Sequence, residues 1–569
     1  MKRMIFTWKQ QALALVMMCA GFSVNAQTIA LTGGAGDITI AAAGELKTAI
    51  DALSDKTVVT SLAVSSTAAS HMLDATDVAA IQTLTALKTL DFSGITMNNY
   101  TLPGGLLYRN PTVETFIFPP NAYRCGNYDF VCTALKGEVT LPAIWNSATY
   151  MRPSFWANNP GITAIKGLDG SGALISIDGV VFDKATNTVV YYPGGKTDET
   201  YELPATVVGI STAATQPFNY NYHLKKLIFP ANFVPAQDAS GKYQGTAIVT
   251  QGSIEAFEVD AANPNIGSVN GLLYNKNTNA IFYAPPVIST VRIPSPIVRI
   301  QGGGSQNSVF GGNSSNSAAY WFDNTAVSDN HTKLITLLDL PATLTHIENG
   351  AFVGAENLAT IISRATTVPA NGKDAWRSIG GSLTPAWSTK VYVPVAALST
   401  YTSSTWVAGS SGNDVDGVSQ TGFSGFPVSA FLPFYTLTIT NGTASSPLAS
   451  DIAAENQTVT ITADEPEEGK VFDKWVALSG ISDADLDDAE SPTAEFVMPA
   501  GDVALEATYK EDIQNGFAAS AINETPVAVR YYTVQGIEVK TPAANGLYIV
   551  KKIYASKKAK VSKVIYTNQ

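Results

Sequence analysis

His71, His223, His331 and His346 are all the histidines in this 569-residue chain, and no two are close enough in sequence to share a metal. No His-Glu-x-x-His or Gly-x-Ser-x-Gly stretch occurs, so a zinc hydrolase or an ordinary serine-hydrolase elbow is unsupported. Pro193-Gly194-Gly195-Lys196-Thr197 ends like a phosphate loop, but Val190 stands where the first glycine belongs, and the stretch reads as a turn after a strand. Cys125 and Cys132 have no histidine nearby; they could serve redox or metal chemistry or stay as thiols, and a small disulfide-closed loop is the preferred reading. Asp483, Asp485 and Asp487 have calcium-loop spacing, yet Asp488 and Ala494 replace the Gly and Glu such a loop requires. A solvated acidic loop, 464–490, is expected there. Aromatic side chains are the remaining binding candidates: Trp145, Tyr150 and Trp156; Tyr220 and Tyr222; Tyr320 and Trp321. Exposed, they would offer contact area to a protein or sugar; otherwise they pack between neighbouring elements. The expectation is no catalytic residue, no metal and no cofactor.

Composition narrows the classes further. Charged residues make up 14% of the chain against about 25% in a typical soluble protein, and the net charge is −12. An acidic chain without basic runs is a poor nucleic-acid binder. The apolar share of 45% is that of a folded protein. Lys2, Arg3 and Lys9 precede a short apolar run, Ala12 to Phe22, and Val24-Asn25-Ala26 has the small residues of a cleavage site. Residues 1–26 therefore read as an export leader. The run is too short to span a bilayer, no transmembrane segment follows, and Met18 before Cys19 disfavours a lipid anchor.

The elements that would position any site are repeats. Ile177 to Lys184 aligns with Val269 to Lys276 at an offset of 92, and each copy runs through Thr-Asn into a second apolar run, as a β-hairpin would. Leu203-Pro204-Ala205-Thr206-Val207-Val208-Gly209-Ile210 recurs from Ile293 to Ile300 and from Leu340 to Ile347, with apolar residues at positions one, five and eight. His346 falls on a solvent-facing position of that motif. Phe155, Phe218 and Phe352 each precede an apolar strand, and Leu84-x-x-Leu87-x-x-Leu90-x-Phe92 and Val113-x-x-Phe116-x-Phe118 share one spacing. From Leu90 to Phe116 is 26 residues, within the period of leucine-rich repeats. Such units cannot bury an apolar flank alone, so they stack around one continuous core with the Phe side chains behind the strands.

These residues resemble the BspA-type leucine-rich repeat family of secreted and surface bacterial proteins. The resemblance covers about residues 45–410 and rests on "DGVVFDKATNTVVYYPGGKTDETYELPATVVGI", "LDLPATLTHIENGAFVGAENLATI" and "VYVPVAALSTYTSSTWV". In the last of these, Leu398, Tyr401 and Trp406 would close the core. Long polar insertions at 231–262 and 301–330 interrupt the register. Beyond Phe434 the pattern becomes two-residue alternation, and "FDKWV" with "FVMPAGDVALEATYK" resembles internalin B-type β-grasp repeats, with Phe472 and Trp475 as core anchors. Residues 531–569 hold seven Lys and one acid. Their "YYTVQGIEV … NGLYIVKK … KVSKVIYTNQ" order resembles a type IX secretion sorting domain; a small Ig-like end cap is the alternative.

The expected fold class is a strand-rich, irregular α/β-type leucine-rich-repeat solenoid (27–430) followed by small all-β domains (434–510 and 511–569). The expected function is that of an exported, cell-surface or secreted non-enzymatic protein. The resemblance implies adhesion through a protein or glycan partner on a host or microbial surface. The alternative is a secreted carbohydrate-binding accessory protein or hydrolase that uses the solenoid as scaffold.

Overall fold

The computed structural model describes residues 28–67, 73–125, 129–131, 133–169, 172–214, 216–249, 252–302, 335–352, 355, 357–377, 388–512, 525–542, 546–555 and 559–566. The expected leader, together with Cys132, Tyr320, Trp321, His71 and His331, lies outside them. The chain divides into two compact units, 1–433 and 434–569.

The first unit is a leucine-rich-repeat solenoid built of short parallel strands. Ala35–Ile40, Ser61–Ser66, Thr89–Gly94 and Thr115–Ile117 pair side by side in parallel, and the register sets Ala35 against Ser61, Ser61 against Thr89, and Thr89 against Thr115. Leu90 and Phe116, the pair whose spacing suggested a coil, are direct register partners. Alternate residues point inward because the side-chain period of a strand is two: Leu62, Val64, Leu90, Phe92 and Phe116 are buried. Helices occur only briefly. Glu45–Asp51 and Ala75–Ile81 lie in the first two coils; Asp74 caps the second, and buried Asp77 accepts the Asp74 N–H together with the backbone N–H groups of Gly44 and Lys47 at the other helix.

The same ladder resumes downstream as Thr200–Glu202, Lys226–Phe229 and Ala256–Val259, and again as Thr290–Arg292, Leu337–Leu340, Thr360–Ser363 and Lys390–Pro394. The polar insertions do not break it. Lys226 still faces Ala256 and Thr290 still faces Leu337, so the pairing continues across both insertions. The Leu-Pro motif is the corner between two ladders. In each copy the N–H three residues after Pro204, Pro294 or Pro341 bonds back to that proline's carbonyl. The chain then enters a two-residue strand: Gly209–Ile210, Arg299–Ile300 or His346–Ile347. Proline fits there because a strand end leaves its missing N–H unneeded.

The duplicated segment is a three-stranded antiparallel meander, larger than the expected hairpin. Leu174–Ile177, Val180–Asp183 and Thr188–Tyr191 form one copy; Ile266–Val269, Leu272–Asn275 and Ala280–Tyr283 form the other. Their first turns, Asp178-Gly179 and Asn270-Gly271, have positive φ at both residues, as a two-residue type I′ hairpin demands. The bond from Ile165 N–H to the Gly179 carbonyl recurs 92 residues later, from Phe257 to Gly271.

Among the described residues the core is not continuous, as stacking alone would suggest, but forms three clusters in the first unit, and the meanders divide them. Val181, Val190 and Tyr191 face the first cluster, whereas Val180, Phe182, Val189 and Tyr192 face the second. Leu273 and Phe282 face that second cluster, and Leu272 and Ile281 face the third. A strand buried on both faces must be apolar at every position, which is why these runs lack alternation. Phe155 lies in the first cluster, Phe218 in the second and Phe352 in the third, all buried. The last coil is closed by Tyr401 and Trp406, whose polar atoms donate to the carbonyls of Ala365 and Pro369, while Leu398 packs at the edge.

In the second unit, Gly442–Ser445, Thr458–Ala463 and Thr493–Val497 form one sheet, and Lys470–Ser479 pairs antiparallel with Val503–Glu511 in another. Trp475 is fully buried and Phe472 partly so. The acidic loop expected over 464–490 is in part this ten-residue strand, since Phe472, Trp475 and Ala477 pack into the core. Pro526–Thr533, Glu538–Val539, Gly546–Tyr554 and Ala559–Tyr566 make a four-stranded antiparallel sheet.

Candidate functional site

Four buried asparagines recur where one coil passes to the next. Asn221 Oδ1 accepts the N–H groups of His223 and Leu224, and its Nδ2 donates to the carbonyls of Pro193 and Lys196 one coil earlier, each at 2.8 Å. Asn263 repeats this with Asn265, Ile266, Pro230 and Phe233. Asn110 caps Thr112 and Val113, and Asn159 donates to the carbonyls of Phe130 and Trp156. The signal was available as Asn-x-x-apolar: Asn110 to Val113, Asn159 to Ile162, Asn221 to Leu224, Asn263 to Ile266. These groups build the scaffold and are not open to a ligand.

The aromatic candidates fall into different settings. Trp145 is 0% exposed, edge-on to Phe118 at 5.8 Å, and Trp156 stacks on Phe130 at 4.4 Å. The two indoles are 6.4 Å apart at 78°, so they form no coplanar platform. Both are corrected from binding leads to core residues, because their ring faces are already covered by the neighbouring coils. Tyr150 is half-buried against Phe155, and its carbonyl accepts the Trp156 indole N–H. Tyr222 is exposed and Tyr220 half-buried.

Other sequence candidates are engaged in structure. Cys125 is a buried free thiol, so the preferred disulfide reading is corrected: its Sγ points inward toward the Tyr150 carbonyl at 3.5 Å. Burial, helped by the nearby Asp129 charge, pushes that thiol up, which disfavours thiolate chemistry. Lys196 of the Pro-Gly-Gly-Lys-Thr turn sits between Asp178 and Asp198 at 2.9 Å each, leaving no free cation for a phosphate. A side chain at Gly195 would meet the Pro160 carbonyl at 2.4 Å, so glycine is required there by close approach. Asp483, Asp485 and Asp487 accept backbone N–H groups of Ala477, Ser482 and Glu495. Among the described residues no three His, Cys, Asp or Glu are grouped to hold a metal. His223 is exposed. His346 is half-buried beside Thr345, with burial and Arg299 lowering its pKa.

One surface was not singled out from the sequence. Tyr100 is 48% exposed and stacks on Tyr123 of the next coil, with centroids 5.2 Å apart at 28°. The Arg124 guanidinium lies 4.9 Å over the Tyr123 ring, and Arg152 lies 5.2 Å over Phe155. Asn99 and Tyr100 both have left-handed φ, 51° and 58°, uncommon for a residue as bulky as tyrosine. The Tyr100 carbonyl accepts the N–H groups of Tyr123 and Arg124, which fixes the two coils in register. The Tyr-Arg dipeptides at 108–109 and 123–124 were the legible trace of this surface.

With this geometry in view, the fold defines a strand-rich leucine-rich-repeat solenoid followed by all-β modules. Residues 435–513 match the family described as the divergent InlB B-repeat domain. Among solved structures, the chain is similar to a leucine-rich repeat protein from Eubacterium ventriosum, with 14% identity and a TM-score of 0.34 over 64% of this chain and 96% of that one. A leucine rich cell surface protein from Faecalibacterium prausnitzii gives 12% and 0.28 over 65% and 93%. A leucine-rich repeat protein from Bacteroides ovatus gives 12% and 0.25 over 67% and 96%. No curated protein matches the chain.

Proposed function

We propose that this chain is an exported, non-enzymatic protein, displayed at the cell surface or released, whose solenoid binds a protein or glycan partner in adhesion. The observation that carries the reading is the unbroken strand register on either side of the insertions. A ladder of this kind holds its outward side chains at fixed positions, so a partner meets a stiff, preorganised surface and the ordering cost of binding is small. In this reading residues 1–26 direct export and 531–569 act as a type IX sorting signal. The B-repeat module then stands between the solenoid and that signal in sequence.

Two measurements test it. The purified chain screened against matrix proteins, glycans and microbial surfaces is expected to show a saturable partner; a screen with none counts against adhesion. Deleting 531–569 is expected to strand the protein in the periplasm, and unchanged surface delivery would refute the sorting role alone.

A further inference from the structure

We infer that the Tyr100–Tyr123–Arg124–Arg152 surface is the interaction face of the solenoid, and that it takes an acidic protein segment. The inference deepens the binding role proposed above and rests on it.

The argument begins with the arginines. The chain has nine, and three of them, Arg109, Arg124 and Arg152, fall between residues 109 and 152. Four others find a carboxylate: Arg292 and Arg364 share Asp339, Arg299 holds Glu348, and Arg530 reaches Glu538. Among the described residues, Arg124 and Arg152 form no ion pair and instead lie exposed over aromatic rings. A guanidinium over a ring and without a carboxylate partner keeps N–H donors that match a carboxylate in bidentate fashion.

The local carboxylates do not compete for it. Glu114 is clamped between Lys88 and Lys136, Glu138 pairs with Lys166, and Asp129 is buried with its Oδ1 on the Leu106 N–H. Cys125, next to Arg124, has its Sγ 3.5 Å from the carbonyl of Tyr150, two residues before Arg152, so the two guanidinium-bearing coils are neighbours. The surface is thus a cationic patch on a chain whose net charge is −12.

Ring geometry separates a protein partner from a sugar. Platforms for sugars need a free ring face, and here Tyr123 is covered on one side by Tyr100 and approached by Arg124 on the ring. What remains is one half-exposed tyrosine, Tyr100, beside two exposed arginines, and no two-ring platform. Tyrosine and arginine side by side are the residues most enriched at protein interfaces. Charge complementarity then sets the partner's chemistry: Asp or Glu side chains placed beside an apolar or aromatic contact.

The test uses the full chain and a synthetic Glu-rich peptide containing tyrosine, with its Gln counterpart and a hyaluronan oligosaccharide as comparison probes. Saturable binding of the Glu peptide is expected, absent for the Gln peptide and weakening as salt rises. Arg124→Gln with Arg152→Gln should weaken it roughly ten-fold or more, and Arg→Lys at both sites should recover only part of the loss. Unchanged thermal unfolding of these exposed-site variants would show that the fold is intact. No binding of the Glu peptide, equal binding by the variants, or preference for hyaluronan each overturns the inference. If a surface partner found by screening binds the Gln variants at full affinity, this face is excluded while the solenoid's binding role stands.

Discussion

Asn221 is bonded at four points inside the stack, two given to the preceding coil and two accepted from its own turn. An alanine there strands the buried Leu224 N–H, the part-buried His223 N–H and two carbonyls, so Asn221→Ala should cost about 2–4 kcal/mol in chemical denaturation. Asn221→Asp should be worse at neutral pH, because its carboxylate would face the Pro193 and Lys196 carbonyls. Glu348 provides a pH handle. Burial alone would raise its carboxyl, but Lys242, the Gly302 N–H and Arg299 outweigh it and hold the group below the ordinary 4.5. A carboxyl lowered in the fold contributes stability that is present above the unfolded value and lost as pH falls through the folded one. Melting temperature measured against pH should therefore drop less steeply below 4.5 in Glu348→Gln than in the parent chain. An equally steep drop would show that Glu348 does not contribute to the acid limb.

The meander is the element that turns repetition into architecture. Its apolar runs were legible at an offset of 92, yet their two-sided burial was not, because an apolar run reads the same whether one or two cores lie against it. The Asp178-Gly179 and Asn270-Gly271 dipeptides were the overlooked sign of a third strand. Gly179 has φ 79°, and a Cβ would lie 2.6 Å from that of Ala164; at Gly271 the nearest atoms of Ala256 are 3.2 Å away. Gly179→Ala should therefore cost more than Gly271→Ala, with at least about 1 kcal/mol lost at each from the positive φ alone. Denaturant midpoints of the two variants decide the order. The Leu-Pro corners, by contrast, were readable in advance, since proline's missing donor restricts where in a sheet it can stand.

At the scale of the molecule, each compact unit has aromatic anchors of its own. Trp376 stacks on Phe352 at 4.7 Å within the solenoid, and Trp475 is enclosed by residues 437 to 507 in the second unit. Calorimetry of Trp475→Ala should show one transition lowered, by about 3–5 kcal/mol of stability, and the other unmoved. Trp376→Ala should do the reverse. A single transition shifted by both variants would mean that the units unfold together.

What the sequence by itself determined was periodic: coil length, the corners, the alternation beyond Phe434 and the duplicated segment. Each follows from local rules, namely the two-residue period of strands, proline's lost N–H and the need of an apolar flank for cover. The tertiary structure decided which aromatics are hidden. Trp145 and Trp156 are more apolar than Tyr100, yet spacing could not tell whether a neighbouring coil would cover them. That outcome depends on where the coils come to lie and on the left-handed backbone at Asn99 and at Tyr100 itself. Cys125 was settled in the same way, since its inward direction, not its distance in sequence from Cys132, placed its thiol in the core.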